Sequence, residues 1–230
     1  MSPDTLRTHP HVVAPVCSRE DLDFLHARTE LPADLLEFRL DDLSEIQDDA
    51  FAAARKCAQP LLITARRSEE GSRATLDHQA RLGLYERFLP CAALVDTEII
   101  SLQETAFSDF PKMVQAAGAL LVGSYHDFSG FPGMPKIERM IADAYALGAN
   151  VAKVAVVMEH LSDLCSLAAL VEREHRAGRL ISAMGMGPLG KLSRLVLAKA
   201  GSSLNYGYLR VANAQGQWSA EELRGLLRVI

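Results

Sequence analysis

Short apolar runs alternate with helix-like segments from one end of the chain to the other, and this alternation constrains the fold more than any other feature. The runs are "VVAPVC" (12–17), "LLEFRL" (35–40), "PLLITA" (60–65), "AALVDTEI" (92–99), "ALLVGSY" (119–125), "NVAKVAVV" (150–157), "LISAMG" (180–185) and "SLNYGYL" (203–209). Their length and β-branched content read as strands buried on both faces. Helical signals follow them. Ser18 stands as N-cap of "SREDLDFLHA", with Asp21 three residues on, and Ser44 opens "SEIQDDAFAAARKCA". The segments "ATLDHQARLGLYERFL", "PKIERMIADAYALGA" and "SAEELRGLLRVI" follow the same pattern, the second closing on Gly148 as a C-terminal cap.

Eight strand–helix units with doubly buried strands predict a parallel sheet covered by helices, and eight is the number that closes a (β/α)8 TIM barrel. An open doubly wound sheet is the alternative. It usually carries a glycine-rich loop after its first strand, whereas here that strand runs into "CSREDL". No linker or low-complexity segment divides the 230 residues, so residues 1–230 are expected to form a single-domain α/β barrel, with 1–11 a short N-terminal arm.

The formal net charge of −5 argues against broad nucleic-acid or anionic-membrane binding. No apolar stretch approaches the ~18 residues of a membrane span, and the N-terminus lacks the apolar region of a signal peptide. Cys17, Cys57, Cys91 and Cys165 lie far apart without metal spacing, which predicts reduced thiols, a cytoplasmic protein and no zinc site.

In a barrel of this kind the active site lies at the C-terminal ends of the strands. In "EFRLD", Glu37, Arg39 and Asp41 alternate and share one strand face. Such a face is costly unless its charges are paired or functional, a structural ion cluster being the bland alternative. "TARRSEEGS" puts Arg66 at a strand end and Glu70 in the loop beyond it. "GSYHDF" puts His126 and Asp127 at an exit. "SAMGMGPLGKLSR" supplies Met184, Met186 and Arg194. His9, His11, His26, His78 and His175 read as surface residues, and His160 stays open. "GYLRVANAQGQWS", with Asn213, Gly216 and Gln217, is too long and polar for a minimal connection and reads as a mobile lid.

Lys153 interrupts "GANVAKVAVVM", alternating with Val151 and Ala155. It faces the barrel interior, where desolvation disfavours the ammonium form. A neutral amine is a nucleophile toward carbonyls, so the position suits an imine. A lysine snorkelling from an edge strand is the bland alternative, and a closed barrel has no edge.

"EFRLD", "TARRSEEG", "GSYHDF", "GANVAKVAV", "MGMGPLGKLSR" and "GQWS" occur in the order seen in type I 3-dehydroquinate dehydratases, and His126 precedes Lys153 by about 27 residues, as in that family. The resemblance runs from about Val12 to the C-terminus. It implies a (β/α)8 barrel, a homodimer without cofactor, and dehydration of the small molecule 3-dehydroquinate to 3-dehydroshikimate through a Schiff base in the shikimate pathway. It also implies residue roles. Lys153 would form the imine with the C3 ketone, and His126 would be general base and then acid. Glu70 would support that histidine. Arg194 would clamp the substrate carboxylate, while Glu37, Arg39 and Arg66 hold ring hydroxyls. Gln217 would close over the substrate, and Met184, Met186 and Tyr206 would wall the pocket, with Asp41 in support.

The chain departs from the family pattern at three positions. Asn213 stands for a usual serine, Tyr206 for a typical Phe and Gln215 for a loop Pro; the Asn213 amide is still expected to hydrogen-bond the substrate, while Asn213 and Gln215 together make closure of the lid costlier. Two rivals compete with the resemblance. A class I aldolase would also use a barrel lysine, but would present a phosphate site after strands seven and eight. A weakened binding homologue would lack the lysine or the base, and both are present. A carboxylate-pair hydrolase would leave the lysine unexplained.

Overall fold

The computed structural model describes residues 1–212 and 216–229. All eight apolar runs form strands: β1 (His11–Val16), β2 (Leu35–Arg39), β3 (Leu61–Thr64), β4 (Ala92–Glu98), β5 (Leu120–Asp127), β6 (Val151–Val157), β7 (Leu180–Met186) and β8 (Leu204–Tyr206). Helices alternate with them: α1 (Pro3–Arg7), α2 (Arg19–His26), α3 (Gln47–Ala54), α4 (His78–Phe88), α5 (Ile99–Leu102), α6 (Phe110–Ala116), α7 (Met134–Ala146), α8 (Leu161–Arg176), α9 (Gly190–Ala200) and α10 (Ala220–Leu227). The strands form one parallel sheet in the order β7-β6-β5-β4-β3-β2-β1-β8. Serines bring its two ends together. Ser203 N donates to Ile181 O at 2.8 Å, Ser182 Oγ to Leu204 O at 2.7 Å, and Ala183 N to Ser202 Oγ at 3.0 Å. The sheet is therefore a nearly closed (β/α)8 barrel rather than an open doubly wound one.

Local chemistry sets the helix ends. Ser18 Oγ accepts from Asp21 N, and Ser219 with Glu222 forms a capping box at α10. After α7 the chain turns at Gly148, whose φ of 90° suits a residue without Cβ. Ser44 departs from expectation. Its hydroxyl donates to Asp41 O, residues 44–46 form a 3-10 turn, and α3 begins only at Gln47. The main-chain carbonyl at the strand exit thus holds the hydroxyl expected to cap the helix, and α3 starts without a side-chain cap.

Alternation along the strands divides the core in two. Outward side chains such as Phe38, Ile63, Val95 and Val154 pack against the helices. Inward ones such as Val13, Leu35, Leu62, Leu94, Val122 and Val151 fill the barrel, and Leu6 of α1 joins them. The N-terminal arm is thus part of the folded structure. His11 is also a correction to the sequence reading. It begins β1, is 3% exposed and stacks on His9 with ring centroids 4.0 Å apart. Burial and then the neighbouring His9 push its imidazole pKa down. Toward the C-terminal ends of the strands the interior changes from aliphatic to charged.

Candidate active site

Glu37, Arg39, Arg66, Glu70, His126, Lys153, Met184, Met186, Arg194, Tyr206 and Gln217 line one cavity of about 310 Å³ at the strand C-terminal ends. Six strands or strand exits and the first turns of α9 bring them together. Asn213 and Gln215 lie outside the described residues. Gly71 borders the same cavity with φ at 97°; a Cβ there would come within 3.0 Å of the Phe128 ring at the cavity mouth.

Lys153 projects inward from β6, 3% exposed. Ser124 of β5 and Ser182 of β7 stand beside it in register and leave room for its long side chain. Its Nζ donates to Asp96 Oδ2 at 2.7 Å, lies 3.9 Å from Glu37 Oε1 and sits 4.2 Å from the centroid of the Tyr206 ring. The lysine is thus met by carboxylates, not by apolar groups alone.

Asp96 and Glu98 of β4 were not among the expected site residues, yet they organise its floor. Asp96 Oδ1 accepts from Arg66 Nη2 at 2.9 Å and from Ser124 Oγ at 2.6 Å. Glu98 Oε1 accepts from Arg66 Nη1 at 3.1 Å, and Oε2 accepts from the buried Arg81 of α4. Burial works against both charges, but Arg66 with Lys153 at Asp96, and Arg66 with Arg81 at Glu98, outweigh it and hold both carboxyls below their ordinary range. The signal was present in the sequence. Asp96 and Glu98 alternate inside an apolar run as Glu37 and Arg39 do. Arg66, expected to hold substrate hydroxyls, commits three N–H donors to Asp96, Glu98 and Ser124 and keeps two others.

Within "EFRLD", Arg39 and Asp41 pair with each other, while Glu37 finds its partners on other strands. Arg39 makes a two-point contact with Asp41, at 3.1 and 2.7 Å, and also donates to Gly71 O at 3.3 Å. Glu37 Oε1 accepts from Thr64 Oγ1 at 2.8 Å. The mouth of the cavity is set by His126 and Glu70. Glu70 Oε2 lies 3.0 Å from His126 Nδ1 and accepts from the His126 backbone N–H at 3.0 Å. Burial raises the Glu70 carboxyl pKa to about 7 against the pull of Arg66, while burial and then Arg66 and Lys153 push His126 well below its ordinary value. Nδ1 is held by the carboxyl, which leaves Nε2 as the imidazole's second nitrogen for proton transfer.

Arg194 is 2% exposed, donates through Nη1 to Tyr206 O at 3.0 Å, and leaves its Nε without a partner. Among the described residues no carboxylate pairs with it, and burial alone lowers its pKa to about 10. A buried cation of this kind calls for an anion from outside.

The segment after β8 is anchored at both ends where it is described. Tyr208 and Ser219 form a bridge, and Trp218 Nε1 donates to Lys191 O at 3.0 Å. The Gly216 backbone lies against Gly187 and Gly190 so closely that a Cβ on Gly190 would come within 2.7 Å of Gly216 O. Among the described residues no group of three or more His, Cys, Asp or Glu is arranged to hold a metal ion, and no helix is long and apolar enough to cross a membrane.

A parallel eight-stranded barrel with a charged cavity at its C-terminal mouth is the architecture of a (β/α)8-barrel enzyme. The family model for type I 3-dehydroquinase matches residues 12–230. The chain belongs to that family, and its activity is the dehydration that defines it. A 3-dehydroquinate dehydratase from Syntrophotalea carbinolica is 30% identical over 236 residues, covering 96% of this chain and 92% of its own. A catabolic 3-dehydroquinate dehydratase from Acinetobacter baylyi is 29% identical over 208 residues, covering 86% and 76%. The crystal structure of 3-dehydroquinate dehydratase from Geobacillus kaustophilus superposes with a TM-score of 0.85 at 27% identity, covering 96% of this chain and 91% of its own.

Proposed function

We propose that the chain converts 3-dehydroquinate to 3-dehydroshikimate through an imine on Lys153. The observation that carries the reading is a buried lysine amine sharing one cavity with a buried arginine that has no acid partner among the described residues. The first needs a carbonyl to react with and the second an anion to hold, and 3-dehydroquinate brings a ketone and a carboxylate.

In this reading Arg194 takes the substrate carboxylate, which a planar guanidinium does by two parallel hydrogen bonds. Glu37, Arg39 and the free donors of Arg66 meet the ring hydroxyls. Met184, Met186 and Tyr206 wall the ring, and Gln217 covers it. His126 takes a proton from the Lys153 ammonium, the amine adds to the C3 ketone, and His126 returns that proton to the carbinolamine hydroxyl, which departs as water and leaves the protonated imine. His126 Nε2 then removes the C2 proton. The electron pair flows into the C2–C3 bond, and the C=N pair moves to nitrogen, giving a neutral enamine. His126 returns its proton to the departing C1 hydroxyl, the electrons flow back from nitrogen, and hydrolysis frees the product. Glu70 holds the imidazole by Nδ1 throughout. An aldolase reading lacks comparable support, because the sites of Arg194 and Glu37 suit a carboxylate and hydroxyls.

A cytoplasmic homodimer accompanies this proposal. It is supported by the family resemblance, by four free cysteines, and by Leu161, Leu192 and Val196 exposed on α8 and α9. Sedimentation of the purified chain tests the dimer. For the chemistry, borohydride added with 3-dehydroquinate should inactivate the enzyme and leave a stable amine adduct. Peptide mapping is expected to find it on Lys153; an adduct on Lys136 or Lys191, or none, refutes the imine.

A further inference from the structure

We infer that Asp96 is the counterion of the imine: it aims the Lys153 nitrogen and keeps that nitrogen protonated while the C2 proton is removed. The inference rests on the imine reading and adds to it a group for which the chemistry above has no role.

Asp96 is fully buried and touches the reacting nitrogen directly, Oδ2 lying 2.7 Å from Lys153 Nζ. It cannot swing away, because Arg66 Nη2 and Ser124 Oγ hold its other oxygen at 2.9 and 2.6 Å. The nearest alternative anion, Glu37, is farther from Nζ at 3.9 Å and is engaged by Thr64. Charged and titratable groups surround the pair from every strand packed against it: Glu37 of β2, Arg66 beyond β3, Glu98 of β4, His126 of β5 and Tyr206 of β8. Arg66 and Lys153 hold Asp96 ionised, so it is a poor proton acceptor and a lasting negative charge.

Charge balance explains why such a charge belongs there. Ammonium plus ketone gives protonated imine plus water, so the nitrogen is cationic before and after the carbon–nitrogen bond forms. An unprotonated imine would have to become an anion when the C2 proton leaves, whereas the protonated one becomes a neutral enamine. A carboxylate within hydrogen-bond distance raises the pH at which the imine nitrogen loses its proton. The Tyr206 ring on another side of Nζ works in the same sense through its negative face.

The test compares pH profiles. Wild type with 3-dehydroquinate and borohydride must first give the Lys153 adduct; its absence overturns the imine reading itself. With the adduct present, Asp96→Asn is expected to move the alkaline limbs of kcat and of adduct formation to lower pH by about one unit or more. Asp96→Glu keeps the charge and is expected to keep the limb, while the displaced oxygen slows adduct formation by about tenfold. An Asp96→Asn enzyme that binds product and has its limbs in the wild-type place, whatever its kcat or Tm, overturns the counterion role. Should Asp96→Asn not fold, Asp96→Glu decides: slowed trapping with the limb kept supports the inference, and trapping at the wild-type rate overturns it.

Discussion

Arg194 is the residue whose surroundings ask most plainly for a ligand. Removing one partner of a buried ion pair strands the other charge, but among the described residues Arg194 has no acid partner to strand. Arg194→Met should therefore fold with a Tm at or above wild type while KM for 3-dehydroquinate rises by about two orders of magnitude. A lower Tm with KM unchanged would make the guanidinium structural and send the carboxylate to Arg39 or Arg66. His126→Ala should lose about 10²–10⁴-fold in turnover, read by the absorbance of the enone product; a variant within about tenfold of wild type would remove His126 from the chemistry. At this scale the sequence exposes charges that break an apolar pattern, and so Lys153, Arg39 and Glu37 stand out. It shows Asp41 beside Arg39 but hides the partner of Lys153. Asp96 lies 57 residues from Lys153 and is joined to it only because β4 and β6 curve around one interior. Burial read from β6 alone leaves out a carboxylate 2.7 Å away.

Elements were legible where a local rule decides them and less so where packing does. Ser18, Ser219 and Gly148 mark helix ends by their own chemistry. The last strand is shorter than its apolar run: beyond Gly207, whose backbone lies so close to Ala220 of α10 that a Cβ would come within 2.7 Å, Tyr208 pairs with Ser219 instead of with β1. The contact of Gly190 with Gly216 is of the same kind, and it joins the start of α9 to the segment that carries Gln217. Gly190→Ala puts a methyl group against backbone rather than against a flexible side chain, so the segment must move. Overpacking of this sort costs about 1–3 kcal/mol, enough for a roughly tenfold rise in KM. Trapping of the Lys153 adduct at saturating substrate should be unchanged. A variant with wild-type KM would show that Gln217 contributes nothing to binding.

For the whole molecule, the Glu70–His126 pair makes a distinct prediction about stability against pH. In the unfolded chain near pH 5.5 the histidine carries a proton and the glutamate does not. In the folded protein the order is reversed, because the Glu70 pKa is raised to about 7 and that of His126 falls well below its ordinary value. Taken singly, the raised carboxyl makes stability fall as pH rises toward 7, and the depressed imidazole makes stability fall as pH drops below about 6.5. Together they hold one proton in both states, so folding neither takes up nor releases it and their effects offset. The carboxyls held below their ordinary range, Asp96 and Glu98, contribute stability that is lost only as pH falls below about 4. With that pair silent, the wild-type Tm should climb only gently from about pH 5 to 7, through the depressed His11 imidazole, and fall steeply below about 4. Glu70→Gln removes the group that keeps the proton in the folded state. Folding then expels a proton from His126 below about pH 6.5, and the Tm of the variant should climb from pH 5 to 7 more steeply than that of the wild type. Calorimetry across that range decides it. A variant profile no steeper than the wild type's would mean that His126 stays protonated when buried, and that it is not the neutral base the proposed reaction requires.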